Sequence, residues 1–191
     1  MFIQLRVLVA CEMSASVRDA FRSKGHDAWS VDLMETRGDP AYHIVGDALE
    51  AARDRGPWDL MIGFPPCTHL SSSGARWWPE KIADGRQDEA LDFVWKLMNV
   101  PINKIAIENP VGRIGTAIRK PDQIIQPWQF GHGEVKSTCL WLKNLRPLKP
   151  TNIVAGREQR IHNLPPSPDR GILRSLTYQG VADAMADQWG R

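Results

Sequence analysis

The stretch Leu60-Met61-Ile62-Gly63-Phe64-Pro65-Pro66-Cys67 decides the fold. A short apolar run closed by two prolines reads as a strand buried on both faces, as in a parallel sheet. The prolines stop the strand and place Cys67 just beyond its carboxyl end. A second signal of the same kind follows about forty residues on, where Ile105-Ala106-Ile107 runs into Glu108-Asn109-Pro110. Open α/β sheets build their sites outside the carboxyl ends of their strands. The chain therefore offers a thiol at one strand end and a carboxyl at another.

Outward from these two runs the strand and helix signals alternate. Leu5 to Ala10 reads as a first buried strand. Ser14 to Lys24 reads as a helix whose Val17, Ala20 and Phe21 face the sheet, stopped by Gly25. Ala28 to Val31 is a strand ending in Asp32, and His43 to Val45 a short one ending at Gly46-Asp47. A helix over Ala48 to Arg55 precedes the Cys67 strand, and a serine-rich loop from Thr68 to Gly74 follows it. Asp84 to Met98 reads as a long amphipathic helix before the Glu108 strand. Thr138 to Leu142 reads as a further strand and Tyr178 to Trp189 as a closing helix. This rhythm predicts an α/β fold with a doubly wound, mostly parallel sheet in one domain over residues 1–191. Residues 147–170 stand apart as a proline-rich, basic segment too irregular for a regular element.

Charge is nearly balanced over the 191 residues, with 24 Lys and Arg against 22 Asp and Glu, so its total says little about partners. Its distribution says more. Gly112 to Arg174 holds eleven basic residues and four acids, a net of +7 against −5 for the rest, which suits an anionic ligand. Cys11, Cys67 and Cys139 are widely separated and have no metal-ligand spacing, so neither a disulfide frame nor a metal site is expected. No apolar stretch has membrane length and no signal peptide opens the chain, so the expectation is a soluble, reduced, cytoplasmic protein with no membrane partner.

These positions resemble the cytosine-C5 DNA methyltransferases, in that family's motif order. The run from Val9 to Phe21 sits where the family has its first cofactor loop, Phe64 to Gly74 resembles the nucleophile loop, and Glu108-Asn109-Pro110-Val111 resembles the Glu-Asn-Val motif. Phe130 to Thr138 falls in register with a later Gln-x-Arg-x-Arg motif, and Arg174 to Thr177 with Gly180 resembles the last two. The resemblance implies a Rossmann-like sheet of the S-adenosylmethionine-dependent type and S-adenosyl-L-methionine as cofactor. The cofactor would lie against Cys11, Glu12, Met13, Ser14, Asp32, Leu33, Asp47, Ala48 and Pro65, with Asp32 on the ribose hydroxyls and Asp47 on the adenine amine. It further implies cytosine in DNA as substrate, with Cys67, Glu108, Asn109 and Lys136 as the catalytic set. Three departures stand out. Met13, Ala15 and Ser16 replace the cofactor-loop glycines, Lys136 and Thr138 replace two arginines, and the proline-rich segment occupies the place of a large target-recognition domain.

The residues support the same chemistry directly. A pyrimidine ring is not nucleophilic at C5 until something adds to C6, and a thiol is the best side-chain nucleophile for that addition. A carboxyl beside it can hydrogen-bond N3 and the exocyclic amine as the ring gains electrons. Asn109 is expected to bond backbone and brace the Cys67 loop. Lys136 is a phosphate or base contact or a plain strand-edge lysine, and Trp77 and Trp78 either stack on a base or pack. DNA with little sequence preference, a free pyrimidine nucleotide such as dCMP, and a silent cofactor-binding module are the three functions this pattern allows.

Overall fold

The computed structural model describes residues 2–191. Its centre is one sheet of β1 (Arg6–Ala10), β2 (Asp27–Asp32), β3 (His43–Val45), β4 (Leu60–Gly63), β5 (Lys104–Pro110), β6 (Gln123–Ile125) and β7 (Thr138–Lys143), in the order β3-β2-β1-β4-β5-β7-β6. β1 to β5 run parallel, whereas β7 is antiparallel to both β5 and β6. The architecture is thus the expected Rossmann-like one, mostly parallel and doubly wound.

The apolar strands sort their side chains by period two onto two cores. On one face Val7, Val9, Leu60, Ile62, Ala106 and Leu140 pack under α1 (Ser16–Ser23) and α7 (Gln179–Trp189). On the other, Leu8, Met61, Ile105 and Ile107 pack under α2 (Ala48–Asp54) and α4 (Arg86–Met98). Strand order reverses between β1 and β4, so the loops after these two strands leave on either side of the switch point.

Several boundaries differ from the sequence reading. α1 begins at Ser16, because Ala15 is left-handed with φ 66°. α4 begins at Arg86, because Gly85, at φ 82°, separates it from α3 (Trp78–Ala83), a helix the sequence reading omitted. β5 runs through Glu108 and Asn109 to Pro110 because β7 pairs alongside it. α5 (Ile114–Ala117), β6 and α6 (Arg170–Ser175) were also unexpected. Residues 147–168 hold no helix or extended strand, as expected. They are pinned at isolated bridges from Asn152 to Phe130 and from Glu158 to Glu134, where a Cβ on Gly156 would lie 2.7 Å from the Gly133 Cα.

Candidate functional site

The loop after β4 is held in place from three sides. Asn109 Nδ2 donates to the Pro65 carbonyl at 2.8 Å, inside the core. The Cys67 carbonyl accepts from Leu70 and Ser71 amides at 3.0 and 2.9 Å, closing a helical turn behind the thiol. The chain then pairs with the segment after β5: Arg113 N donates to Leu70 O at 2.8 Å and Ser72 N to Val111 O at 2.9 Å. Gly112 is required there, since a Cβ would sit 2.0 Å from the Leu70 carbonyl oxygen. Buried Gln87, at the start of α4, adds a tie by donating to His69 O at 3.0 Å while accepting from Arg113 Nε at 2.9 Å.

This framing brings Cys67, Glu108 and Lys136 together. The pleat of β5 sends Glu108 and Asn109 to opposite faces, so the carboxyl points into the site while the amide braces the neighbouring loop. Burial pushes the Cys67 thiol above its ordinary value, and the charge of Glu108 adds to that, whereas Lys136 and Arg174 pull it down. Burial also raises the Glu108 carboxyl, again opposed by Lys136. The Cys67 thiol thus feels the charges of Glu108, Lys136 and Arg174. Lys136 is steadied by the Leu176 carbonyl at 3.4 Å and by the Tyr178 ring.

Cys67 opens onto a cleft of about 530 Å³ whose far side is the Arg174 turn of α6. Its lining includes Lys136, Arg174, His162 and the hydroxyls of Ser71, Ser72 and Ser73, and no Asp or Glu. Glu108 lines a separate, narrow cavity of about 20 Å³ with Phe64 and Tyr178. Lys136 borders both, so its side chain stands between the cleft and the Glu108 pocket.

Arg174 and Tyr178 were not among the expected site residues, because they sit in or after the irregular segment and tertiary contacts alone bring them in. Tyr178 donates to Glu134 Oε2 at 2.7 Å, and Arg160 pairs with Glu134 Oε1 at 3.0 Å, fastening the proline-rich segment to α7. A Cβ on Gly180 would lie 1.9 Å from Phe130 O, so α7 starts in close contact with the Phe130–His132 turn.

The expected cofactor residues divide into two groups. Cys11, Asp32 and Asp47 converge at the ends of β1, β2 and β3: burial and then both carboxylates push the Cys11 thiol up to about 12. Asp32 accepts from Met34 N at 3.0 Å, and Asp47 caps α2 by accepting from Glu50 N at 2.8 Å, each through one oxygen. Leu33 is 78% exposed beside them, while Ala48 and Pro65 are buried. Glu12 and Ser14 instead serve the loop itself. Glu12 accepts from Val17 N and Arg18 N at 2.7 and 3.2 Å and from the Ser14 hydroxyl at 3.2 Å. Its carboxyl fills the amino end of α1, which has no side-chain cap of its own. The Met13 carbonyl accepts from Arg37 N and Thr36 Oγ1. Of Met13, Ala15 and Ser16, the residues in the glycine places, only Ala15 is left-handed, at φ 66°, and Cys11, earlier in the loop, is left-handed at φ 59°.

Among solved structures the chain is similar to one from E. coli, described as a candidate DNA modification methyltransferase encoded within a prophage. The TM-score is 0.51 at 14% identity, over 79% of this chain and 52% of that one. At this identity the likeness is one of fold, and the chain spans about half the length of that protein. No family model matches the sequence, and no curated protein matches it. Among the described residues no cluster of His, Cys, Asp and Glu could hold a metal ion, and no helix is long and apolar enough to cross a membrane.

Proposed function

We propose that this chain is an enzyme that methylates C5 of cytosine in DNA, with S-adenosyl-L-methionine as donor and little sequence preference. The observation that carries the reading is the meeting of Cys67, Glu108 and Lys136 at the carboxyl edge of adjacent strands, beside a cleft with no acidic lining. The fold likeness to a structure described as a DNA-modifying methyltransferase supports it.

The cofactor loop fits such a donor. A dinucleotide would need the free amides at the amino end of α1 for its pyrophosphate, and Glu12 already occupies them. Asp32 and Asp47 make a carboxylate-rich edge beside Cys11, suited to a ribose diol, an adenine amine and a cationic sulfonium. When bound, S-adenosylmethionine supplies the electrophilic methyl that an activated C5 takes up.

The chain's own residues then divide the work. Cys67 loses its proton to solvent and, as the thiolate, forms a bond from Sγ to C6. The C5–C6 π pair is pushed into the ring, and N3 takes the proton of Glu108, whose raised carboxyl favours the neutral, donating form. Lys136 compensates the negative charge of thiolate and carboxylate. After C5 is substituted, its hydrogen leaves as a proton to solvent, the Sγ–C6 bond breaks to restore the thiolate and the C5–C6 double bond, and N3 returns its proton to the Glu108 carboxylate. Flipping a cytosine out of a duplex costs a few kcal/mol, and the basic cleft can hold phosphates without reading bases. Single-stranded or mispaired cytosine is therefore the preferred target.

DNA carrying 5-fluorocytosine tests this, because the fluorine cannot leave as a proton does. Wild-type protein with S-adenosylmethionine should form a denaturation-resistant complex, and Cys67→Ala none. Equal trapping by the two proteins would remove the thiol from the mechanism, and methylation of dCMP faster than of any DNA would move the substrate to the free nucleotide.

A further inference from the structure

The serine-rich loop does not end at the cleft. Ser72 to Trp77 forms a 3₁₀ turn, and its first three residues, Ser72, Ser73 and Gly74, line the Cys67 cleft. A 3₁₀ helix has three residues per turn, so side chains at i and i+3 eclipse, about 6 Å apart along the axis. Gly74 and Trp77 are such a pair. Trp77 therefore lies one turn beyond the cleft corner that Gly74 lines.

Trp77 is 50% exposed, an unusual state for so large an apolar ring. Two cations stand at this corner, one at the ring and one beside Gly74. The Arg76 guanidinium lies 5.0 Å from the ring centroid. Lys81 Nζ, anchored to Thr68 O at 2.6 Å, lies 3.8 Å from where a Gly74 Cβ would be. Trp78, the next residue, is turned inward with its Nε1 buried. An open ring set among positive charges at the rim of a basic cleft is how single strands are held, bases on the aromatic face and phosphates on the cations.

We propose that Trp77 is a stacking platform for the nucleobase adjoining the target in a single DNA strand, a subsite that rests on the DNA reading above. Trp77 lies outside the cleft lining, one 3₁₀ turn past Gly74, so it is offered to a base flanking the one that faces Cys67. Arg76 and Lys81 take the phosphates on either side. This subsite gives the chain a hold on a polymer that a lone nucleotide cannot use.

The test measures binding without catalysis, by anisotropy of a labelled single-stranded DNA with one central cytosine, the same strand with abasic sites flanking that cytosine, and dCMP as a calorimetric control. Trp77→Ala should weaken the intact strand about tenfold, and Trp77→Phe by less than about threefold, because the π-face is kept. Abasic flanks should weaken wild type by the same factor and leave Trp77→Ala unmoved. The salt slope and dCMP binding should not change. The platform is overturned if Trp77→Ala binds the intact strand as wild type does, if it loses intact and abasic strands equally, or if wild type binds neither. Abasic-sensitive binding together with a failed 5-fluorocytosine trap would overturn the proposed chemistry and leave the platform standing.

Discussion

Asn109 and Pro65 are joined across the tips of β5 and β4 by a buried 2.8 Å hydrogen bond, two residues before Cys67 and one after Glu108. The bond sets the distance between the thiol loop and the strand that carries the carboxyl. Asn109→Ala leaves the Pro65 carbonyl unpaired in the core, which costs about 1–3 kcal/mol. Thermal unfolding should fall accordingly, and 5-fluorocytosine trapping should slow about tenfold or more. Normal trapping by a destabilised variant would show that the bond holds the fold without aligning the site.

Glu108 illustrates the opposite balance between stability and activity. Its folded pKa lies above the ordinary value, chiefly through burial, so its charge opposes folding. The sign follows directly. Below about 4.5 both folded and unfolded states are protonated and nothing is lost, whereas above the raised folded value the whole cost is present. Glu108→Gln should therefore unfold at a higher temperature than wild type at neutral pH, by roughly 2–4 °C for each kcal/mol relieved, and at the same temperature in acid. Methyl transfer should drop by at least 10²-fold. A variant less stable at every pH would mean the carboxyl makes a contact the fold depends on.

Trapping should follow a bell-shaped pH profile. The acid limb belongs to Glu108 and the alkaline limb to Cys67, both raised by burial. Lys136 lowers both, so Lys136→Met should move both limbs to higher pH while slowing the plateau. A shift of only one limb would place Lys136 beside only one of the two groups.

Asp32→Ala should weaken S-adenosylmethionine by about 1–3 kcal/mol in calorimetry, and dinucleotides should not compete, because Glu12 holds the α1 amides. Glu12→Ala should lower thermal stability by about 1 kcal/mol or more through loss of the cap. No heat with wild-type protein would remove the cofactor from the reading.

The parallel part of the sheet was legible because β1, β4 and β5 carry continuous apolar runs, a pattern that buried parallel strands impose, and the run in β2 is broken only at Ser30. Cys67 and Glu108 were legible for the same reason, since each follows such a run directly. β6 was not, being three residues at a sheet edge with Ile124 51% exposed. Nor was the extension of β5, which depends on β7 arriving from thirty residues away in sequence. Glu12 reads as a ligand residue by position, but it caps a helix that begins later than expected, because Ala15 takes a conformation that its side chain does not advertise. Tyr178 is held at the site by Glu134, which also pairs Arg160, and Arg174 reaches the cleft on the α6 turn; long-range placements of that kind leave no periodicity to read.

The contact at Gly112 has a consequence for how the site opens. The Arg113 and Ser72 amides bond across the same junction, in opposite directions, with Gly112 and Ser71 facing one another between them. Neither segment can leave without releasing the other, so the thiol loop and the tip of the carboxyl strand form one unit of local unfolding. Their amide protons should exchange with solvent at a common rate, slower than those of the neighbouring 3₁₀ turn, and a substitution as small as Gly112→Ala should release both together.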